Sequence, residues 1–292
     1  MSATVVAAQP KVFRSGIDVV YFNVAVLDNK GKLLDGLRPE DFEVFEDGKP
    51  QRISYFFSGL EKTEARPQLH LGLLFDTSES MVEDLNFAQT AAVKFLNEMQ
   101  EAADITLVDF DTEVRAARYN QTEFARVIER IRNARPKGWT ALHDALAIYL
   151  NGVFDQDGEK VLVVYTDGGD NRSSTTYADV LDMLKASDVT VYSVGLLEHQ
   201  LSSGVLEQRS HLEQIAALTG GLSLFPLSQN QLDEMYGRIL NEVRTRYSIG
   251  YISTNTKTDG AWRKVEFKVK RAGLKGVRVR TRSGYFGPYR QK

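Results

Sequence analysis

The stretch "LHLGLLFDTSESMVED" runs from Leu69 to Asp84 and passes from an apolar run straight into Asp76, Ser78 and Ser80, each two residues from the next. A continuous apolar run of this length, closed by polar residues, reads as a strand buried on both faces, as a parallel sheet requires. "DITLVDF", "KVLVVYT" and "DVTVYSVGL" repeat the pattern, and "LSLFPL" is a weaker fifth. Between them lie "EDLNFAQTAAVKFLNEMQ", "TEFARVIERIRNA", "ALHDALAIYL", "YADVLDMLKAS", "HLEQIAALTG" and "QNQLDEMYGRILNEVRTR", whose apolar residues recur at helical spacing. The alternation predicts an α/β fold with a doubly wound, mostly parallel sheet over residues 67–246, and "EVRAARY" as one short antiparallel edge strand.

Outside that span the helical period vanishes. "IDVVYFNVAVLD", "DFEVFEDG" and "QRISYFF" before it, and "YSIGYIS", "WRKVEFKVK" and "KGVRVRTRSGYF" after it, are short and rich in valine and aromatics. The stretch "SGLEKTEARPQ" marks the break. Three strands on either side are each too few to bury a core, so segments 12–60 and 247–289 are expected to join in one small β-sandwich carrying the α/β domain as an insertion.

Composition narrows the chemistry. A chain of 292 residues with a net charge of -3 suits a large soluble domain plus a smaller one and offers no general attraction to nucleic acid or anionic lipid. Absence of cysteine removes disulfides, thiol nucleophiles and thiolate metal sites. No apolar run is long enough to span a bilayer, so direct membrane insertion is not expected, and "MSATVVAAQP" lacks the pattern of a secretory signal.

In an open α/β sheet the ligand site lies beyond the carboxyl ends of the strands. Asp76, Ser78 and Ser80 follow the first such strand, Asp167 in "VVYTDGGDN" follows another, and Thr140 in "KGWTALHDAL" occupies a loop entering a helix. Two carboxylates and three hydroxyls are hard oxygen donors, suited to Mg²⁺, or to Mn²⁺ and less tightly Ca²⁺. Two aspartates at most neutralise such an ion, which then attracts a carboxylate from another molecule.

"FDTSESM", Thr140 in "GWTALHDA" and Asp167 in "YTDGGDN" resemble the metal ion-dependent adhesion site of von Willebrand factor type A domains. The resemblance implies that Ser78, Ser80 and Thr140 are hydroxyl ligands and that Asp76 and Asp167 bind the ion directly or through water. It also implies adhesion or complex assembly through an Asp or Glu of a partner protein, without enzymatic activity. The flanks "VAVLDNKGKLLDGLRPEDFEVFEDGKPQRISYF" and "VRVRTRSGYFG" resemble a bacterial subgroup of such proteins found mainly in Acidobacteria, which implies an extracellular, periplasmic or envelope location.

Blander readings compete. Ser80 and Glu83 have the spacing of a capping box. Asp144 and His143 invite a catalytic role, although an acid in a first helical turn ordinarily serves the helix dipole. Asp170 and Asn171 read as a polar turn, "DQDGEK" as a solvated turn, and "KVKRAGLKGVRVRTR" as the exposed face of strands with valines inward. Trp139 reads equally as a partner contact or a packed loop residue. Two other functions are weighed: a metal-assisted hydrolase, which lacks a "GxSxG" elbow or a metal-protease histidine pattern, and an assembly factor beside a separate ATPase, since no "GxxxxGK" loop occurs.

Overall fold

A computed structural model describes residues 19–59, 66–198 and 202–290. The opening ten residues, the start of the first flanking segment before Val19 and the 60–65 part of the expected break lie outside them. The described residues begin with strands β1 (Val19–Leu27), β2 (Phe42–Glu46), β3 (Lys49–Gln51) and β4 (Ile53–Ser58). The two-residue connection between β2 and β3 is Asp47-Gly48, both at positive φ, the conformation a tight hairpin needs. The stretch between "DFEVFEDG" and "QRISYFF" therefore closes a hairpin with an added short strand, and among the described residues four strands, not three, precede the α/β region.

That region runs β5 (Leu69–Asp76), α1 (Leu85–Glu98), β6 (Asp104–Phe110), β7 (Val114–Asn120), α2 (Phe124–Asn133), α3 (Leu142–Val153), β8 (Glu159–Thr166), α4 (Tyr177–Ala186), β9 (Thr190–Gly195), α5 (Ser202–Thr219), β10 (Ser223–Leu224) and α6 (Gln229–Thr245). The strand order is β10-β9-β8-β5-β6-β7, parallel except for β7, which pairs antiparallel with β6 along the edge. Every residue of β5 is buried, and its two faces feed different cores. Leu71, Leu73 and Phe75 pack with residues of α1 and α6, while Leu74 packs with Leu146, Tyr149 and Leu150 of α3. This is the period of two expected for a strand covered by helices on both sides. After β5 the chain winds toward β6; after β8 it winds the other way, so the crossover point lies between β5 and β8.

The chain then returns through β11 (Tyr247–Ile252), β12 (Trp262–Val269), β13 (Arg278–Arg280) and β14 (Gly284–Phe286). Among the described residues two antiparallel sheets result, β13-β1-β11-β4 and β14-β12-β2-β3. Phe22, Val24, Tyr247, Ile249 and Tyr251 from the first pack against Phe42, Val44, Val265, Phe267 and Tyr285 from the second. Tyr247 lies opposite Ser58, and the Gly59 N–H donates to the Arg246 carbonyl at 3.1 Å. Exit from and return to the sandwich are therefore neighbouring rungs of one ladder, the arrangement an insertion requires.

Much of the basic run 268–282 is a solvated face with its valines inward: Lys268, Lys270, Arg271, Lys275 and Arg278 are exposed, while Val269, Val277 and Val279 pack on the sandwich core. Ahead of that run, Arg263 is 2% exposed and donates to Ser253 Oγ and to the carbonyls of Asn255 and Lys257. Arg282 donates to the carbonyls of Ser187 and Tyr21, bridging the two folded units. Arg263 and Arg282 are therefore consumed internally, while the exposed Arg271 and Arg278 face solvent.

Candidate functional site

The carboxyl end of β5 places Asp76 at the crossover point, fully buried. Its Oδ1 accepts from the Ser78 N–H at 2.9 Å and from Ser78 Oγ at 2.6 Å; its Oδ2 accepts from Thr166 Oγ1 at 2.6 Å. Ser78 Oγ lies 3.0 Å from Ser80 Oγ. Ser78 is fully buried and Ser80 exposed, so the row of oxygens climbs from the sheet to the surface. Helix α1 starts only at Leu85, after Asp84, and Ser80 faces Ser78 instead of capping it.

Asp167 follows β8 directly and is 1% exposed. Its Oδ1 accepts from the Gly169 N–H at 3.0 Å. Burial first, and then the negative charge of Asp167, push Asp76 up to about 7, against the opposing bonds from Ser78 and Thr166. The two carboxylates thus share one electrostatic site beside the crossover.

Thr140 is 3% exposed and reaches the same rim on a loop held from three sides. Lys137 N–H donates to the Thr77 carbonyl at 2.9 Å and Glu79 N–H to the Gly138 carbonyl at 3.1 Å, joining the loop to the Ser78 turn. Ala141 N–H donates to the Asp111 carbonyl, and Trp139 N–H to Thr112 Oγ1 at 2.9 Å. On the Asp167 side, Asn171 Oδ1 accepts from the Thr140 N–H at 2.8 Å while the Thr140 carbonyl accepts from the Asn171 and Arg172 N–H groups. All three ligand loops are therefore stitched to one another through backbone groups.

Residues read as bystanders have definite duties. Asp170 Oδ2 accepts from the His143 N–H at 2.8 Å and from Ser173 Oγ at 2.6 Å. Asp144 accepts from the Ser174 and Thr175 N–H groups, and its carboxyl lies below the usual range because these bonds outweigh the cost of burial. Asp144 thus ties α3 to the loop after β8. Trp139 is 63% exposed, which places it on the surface of the rim. Thr166 was not singled out by the sequence. Its signal is its position just before Asp167, on the strand whose register sets Phe75 opposite Tyr165.

The donors that could hold an ion are two carboxylates, Asp76 and Asp167, and the hydroxyls of Ser78, Ser80 and Thr140. A buried carboxylate pair with adjacent hydroxyls fits a hard divalent cation and offers nothing to a soft one. Among the described residues no group of three or more His, Cys, Asp or Glu side chains is arranged to hold a metal. No helix there is long and apolar enough to cross a membrane.

Solved structures of similar fold include the PilB minor pilin from Streptococcus sanguinis, 14% identical over 63% of this chain and 63% of that one, with a TM-score of 0.50. The pilus adhesin SpaC from Lactobacillus rhamnosus GG is 12% identical over 87% of this chain and 49% of that one, also at 0.50. A von Willebrand factor type A protein from Catenulispora acidiphila is 13% identical over 96% of this chain and 76% of that one, at 0.49. No curated protein matches the chain. The family model for the von Willebrand factor type A domain matches residues 70–238, more than half of the sequence and the whole span from β5 into α6. The chain accordingly belongs to the von Willebrand factor type A domain family, whose members typically serve as protein-interaction or adhesion modules.

Proposed function

We propose that the chain is a metal-dependent protein-binding module. Asp76, Ser78, Ser80, Thr140 and Asp167 hold Mg²⁺, with Mn²⁺ or Ca²⁺ as substitutes, and an Asp or Glu carboxylate of a partner protein completes the shell. The bound ion supplies a positive, coordinatively open contact for that carboxylate. The observation that carries this reading is the burial of Asp76 beside Asp167, which favours a proton on Asp76. Two buried acids in repulsion form a site built for a counter-charge.

The reading is of binding rather than bond cleavage. All four histidines lie outside the proposed ligand set. The α/β region from β5 to α6 is the binding domain, and strands β1–β4 with β11–β14 form the sandwich that presents it. The shared fold with a minor pilin and a pilus adhesin supports an envelope or extracellular setting, in keeping with the resemblance of the flanks to the acidobacterial subgroup.

Calorimetric Mg²⁺ titration tests the site. Heat is expected from the unaltered chain and none from Asp76→Ala or Asp167→Ala, both folded by circular dichroism. Undiminished binding in both variants overturns the assignment. Partner capture from a native extract should then depend on Mg²⁺ and be lost with chelator or with Asp76→Ala.

A further inference from the structure

The loop that delivers Thr140 carries a second chemical message. Residues 132–140 read "RNARPKGWT", with three cations and no acid. Arg132, Arg135 and Lys137 are exposed. Lys137 comes within 3.7 Å of Asp111; Arg135 Nη1 donates to the carbonyls of Arg132 and Ala134, which leaves its positive charge uncompensated. Among the described residues neither Arg132 nor Arg135 has a carboxylate partner.

Beside this strip lies a groove of about 420 Å³ lined by Val82, Leu85, Asn86, Arg132, Arg135 and Pro136, among others. Its shape is preformed. Gln89 Nε2 donates to the carbonyls of Ile131 at 2.8 Å and Ala134 at 3.1 Å, satisfying the end of α2 and fixing it to α1. The two walls meet at the metal rim, where the 77–79 turn and the 137–138 loop exchange backbone hydrogen bonds. Val82, two residues beyond Ser80, is 58% exposed on one wall. Glu79 and Glu83 are exposed nearby but do not line the groove. Trp139, exposed on a backbone anchored to Thr112, closes the strip at the Thr140 end. Aromatic and arginine side chains displayed on a fixed frame are the usual anchors of an interface.

We propose that the partner presents an acidic, extended segment that occupies this groove. One carboxylate meets the metal site, an aliphatic side chain packs on Val82 and Pro136, and a second carboxylate pairs with Arg132 and Arg135. The inference rests on the metal-binding reading above and adds the character of the ligand. Pro136 and Thr140 are four residues apart, at most about 14 Å of extended chain, so four or five extended partner residues span the distance. Arginine forks on a partly enclosed surface select carboxylates with defined geometry.

The test uses the full chain and three synthetic peptides of about ten residues. The first carries one Asp among Gly and Ser; the second adds Leu next to it and Glu four positions on; the third replaces that Glu with Gln. Titrations are run in Mg²⁺ and in EDTA. The second peptide is expected to bind about tenfold more tightly than the third in Mg²⁺, with the advantage shrinking as salt rises. The Arg132→Gln/Arg135→Gln chain should bind the second and third alike while its Mg²⁺ affinity is unchanged. Equal binding of the two peptides by the unaltered chain, absence of binding by the second, or a preference that survives the double substitution overturns the groove. Mg²⁺-dependent binding of the one-Asp peptide with no gain from the Glu removes the groove and leaves the metal site standing. Failure of the chain to bind Mg²⁺ at all removes both.

Discussion

Thr166 Oγ1 donates to Asp76 Oδ2 at 2.6 Å, from the end of one central strand to the end of its neighbour. The same oxygen accepts from the Gly168 N–H at 3.0 Å, so one hydroxyl sets both the acid that closes β5 and the turn that follows Asp167. Hydrogen bonds to a charged, buried group are worth about 1.5–3 kcal/mol. Thr166→Val keeps the strand's shape and deletes both bonds. Mg²⁺ affinity should fall by about tenfold or more while the protein stays folded, read by calorimetry. An unchanged dissociation constant would mean that Asp76 needs no positioning.

The pH dependence of stability has a definite sign. Asp76 is pushed up to about 7 in the folded chain by burial and by Asp167, above its ordinary value of 3.8. Folded protein therefore holds this proton more tightly than unfolded protein. In chelator, the associated stability is fully present below about pH 4 and is lost as pH rises through about 7. His211, lowered chiefly by burial, works in the opposite direction over part of this window. The difference between the unaltered chain and Asp76→Asn isolates the aspartate. That variant should gain stability relative to the unaltered chain between pH 5 and pH 8 in EDTA, read from urea midpoints. Mg²⁺ should raise the unaltered chain at pH 8 and leave Asp76→Asn unmoved.

At the amino ends of the strands, opposite the candidate site, Glu159 lies between two arginines. It accepts from Arg66 at 3.1 Å and from Arg246 at 3.2 Å, with the Arg246 side chain 2% exposed. Arg246 ends α6, and Glu242 one turn earlier accepts from Tyr192 and Arg280, so this network joins the helix, the sheet and the sandwich. Glu159→Gln retains the volume and strands two buried guanidiniums. The expected loss is about 3–5 kcal/mol in urea unfolding, and Glu159→Gln/Arg246→Met should recover much of it. A loss below about 1 kcal/mol would show that water already compensates these charges.

What the sequence revealed tracks how local each signal is. Asp76, Ser78 and Ser80 sit within one turn of chain, Thr140 precedes α3 and Asp167 follows β8, so the position of each relative to the strand ends was legible. Thr166 was not, because its role depends on the register between β5 and β8 rather than on any motif. Asp170 and Asn171 read as turn formers because their partners, His143 and Thr140, are distant in sequence. In the basic tail the exposed lysines and inward valines were legible, but Arg282 was not, for a related reason. Period-two alternation tells which residues share a face, but not that the face carrying Arg282 meets the α4–β9 connection at Ser187. Pro50 obscured the Asp47-Gly48 hairpin, since proline in a strand signals an edge, and β3 is an edge strand.

Gly138 offers the most selective probe of the Thr140 loop. Its φ is +68°, and an added Cβ would lie 2.4 Å from Thr112 Oγ1, the atom that anchors the Trp139 N–H. Gly138→Ala therefore combines left-handed strain, about 1–2 kcal/mol, with displacement of the residue that holds the loop in place. Thr140 is two residues on and shares that backbone. Gly273→Ala is the control: its φ is +87° with nothing within 4 Å of an added Cβ, so it carries the strain without the collision. Both variants should lose comparable stability from the strain, with Gly138→Ala losing more. Only Gly138→Ala should weaken Mg²⁺ binding, by about tenfold, and quench the dependence of Trp139 fluorescence on the ion. Equal Mg²⁺ affinity in the two variants would separate Thr140 from the site and leave Asp76, Ser78, Ser80 and Asp167 to hold the cation without it.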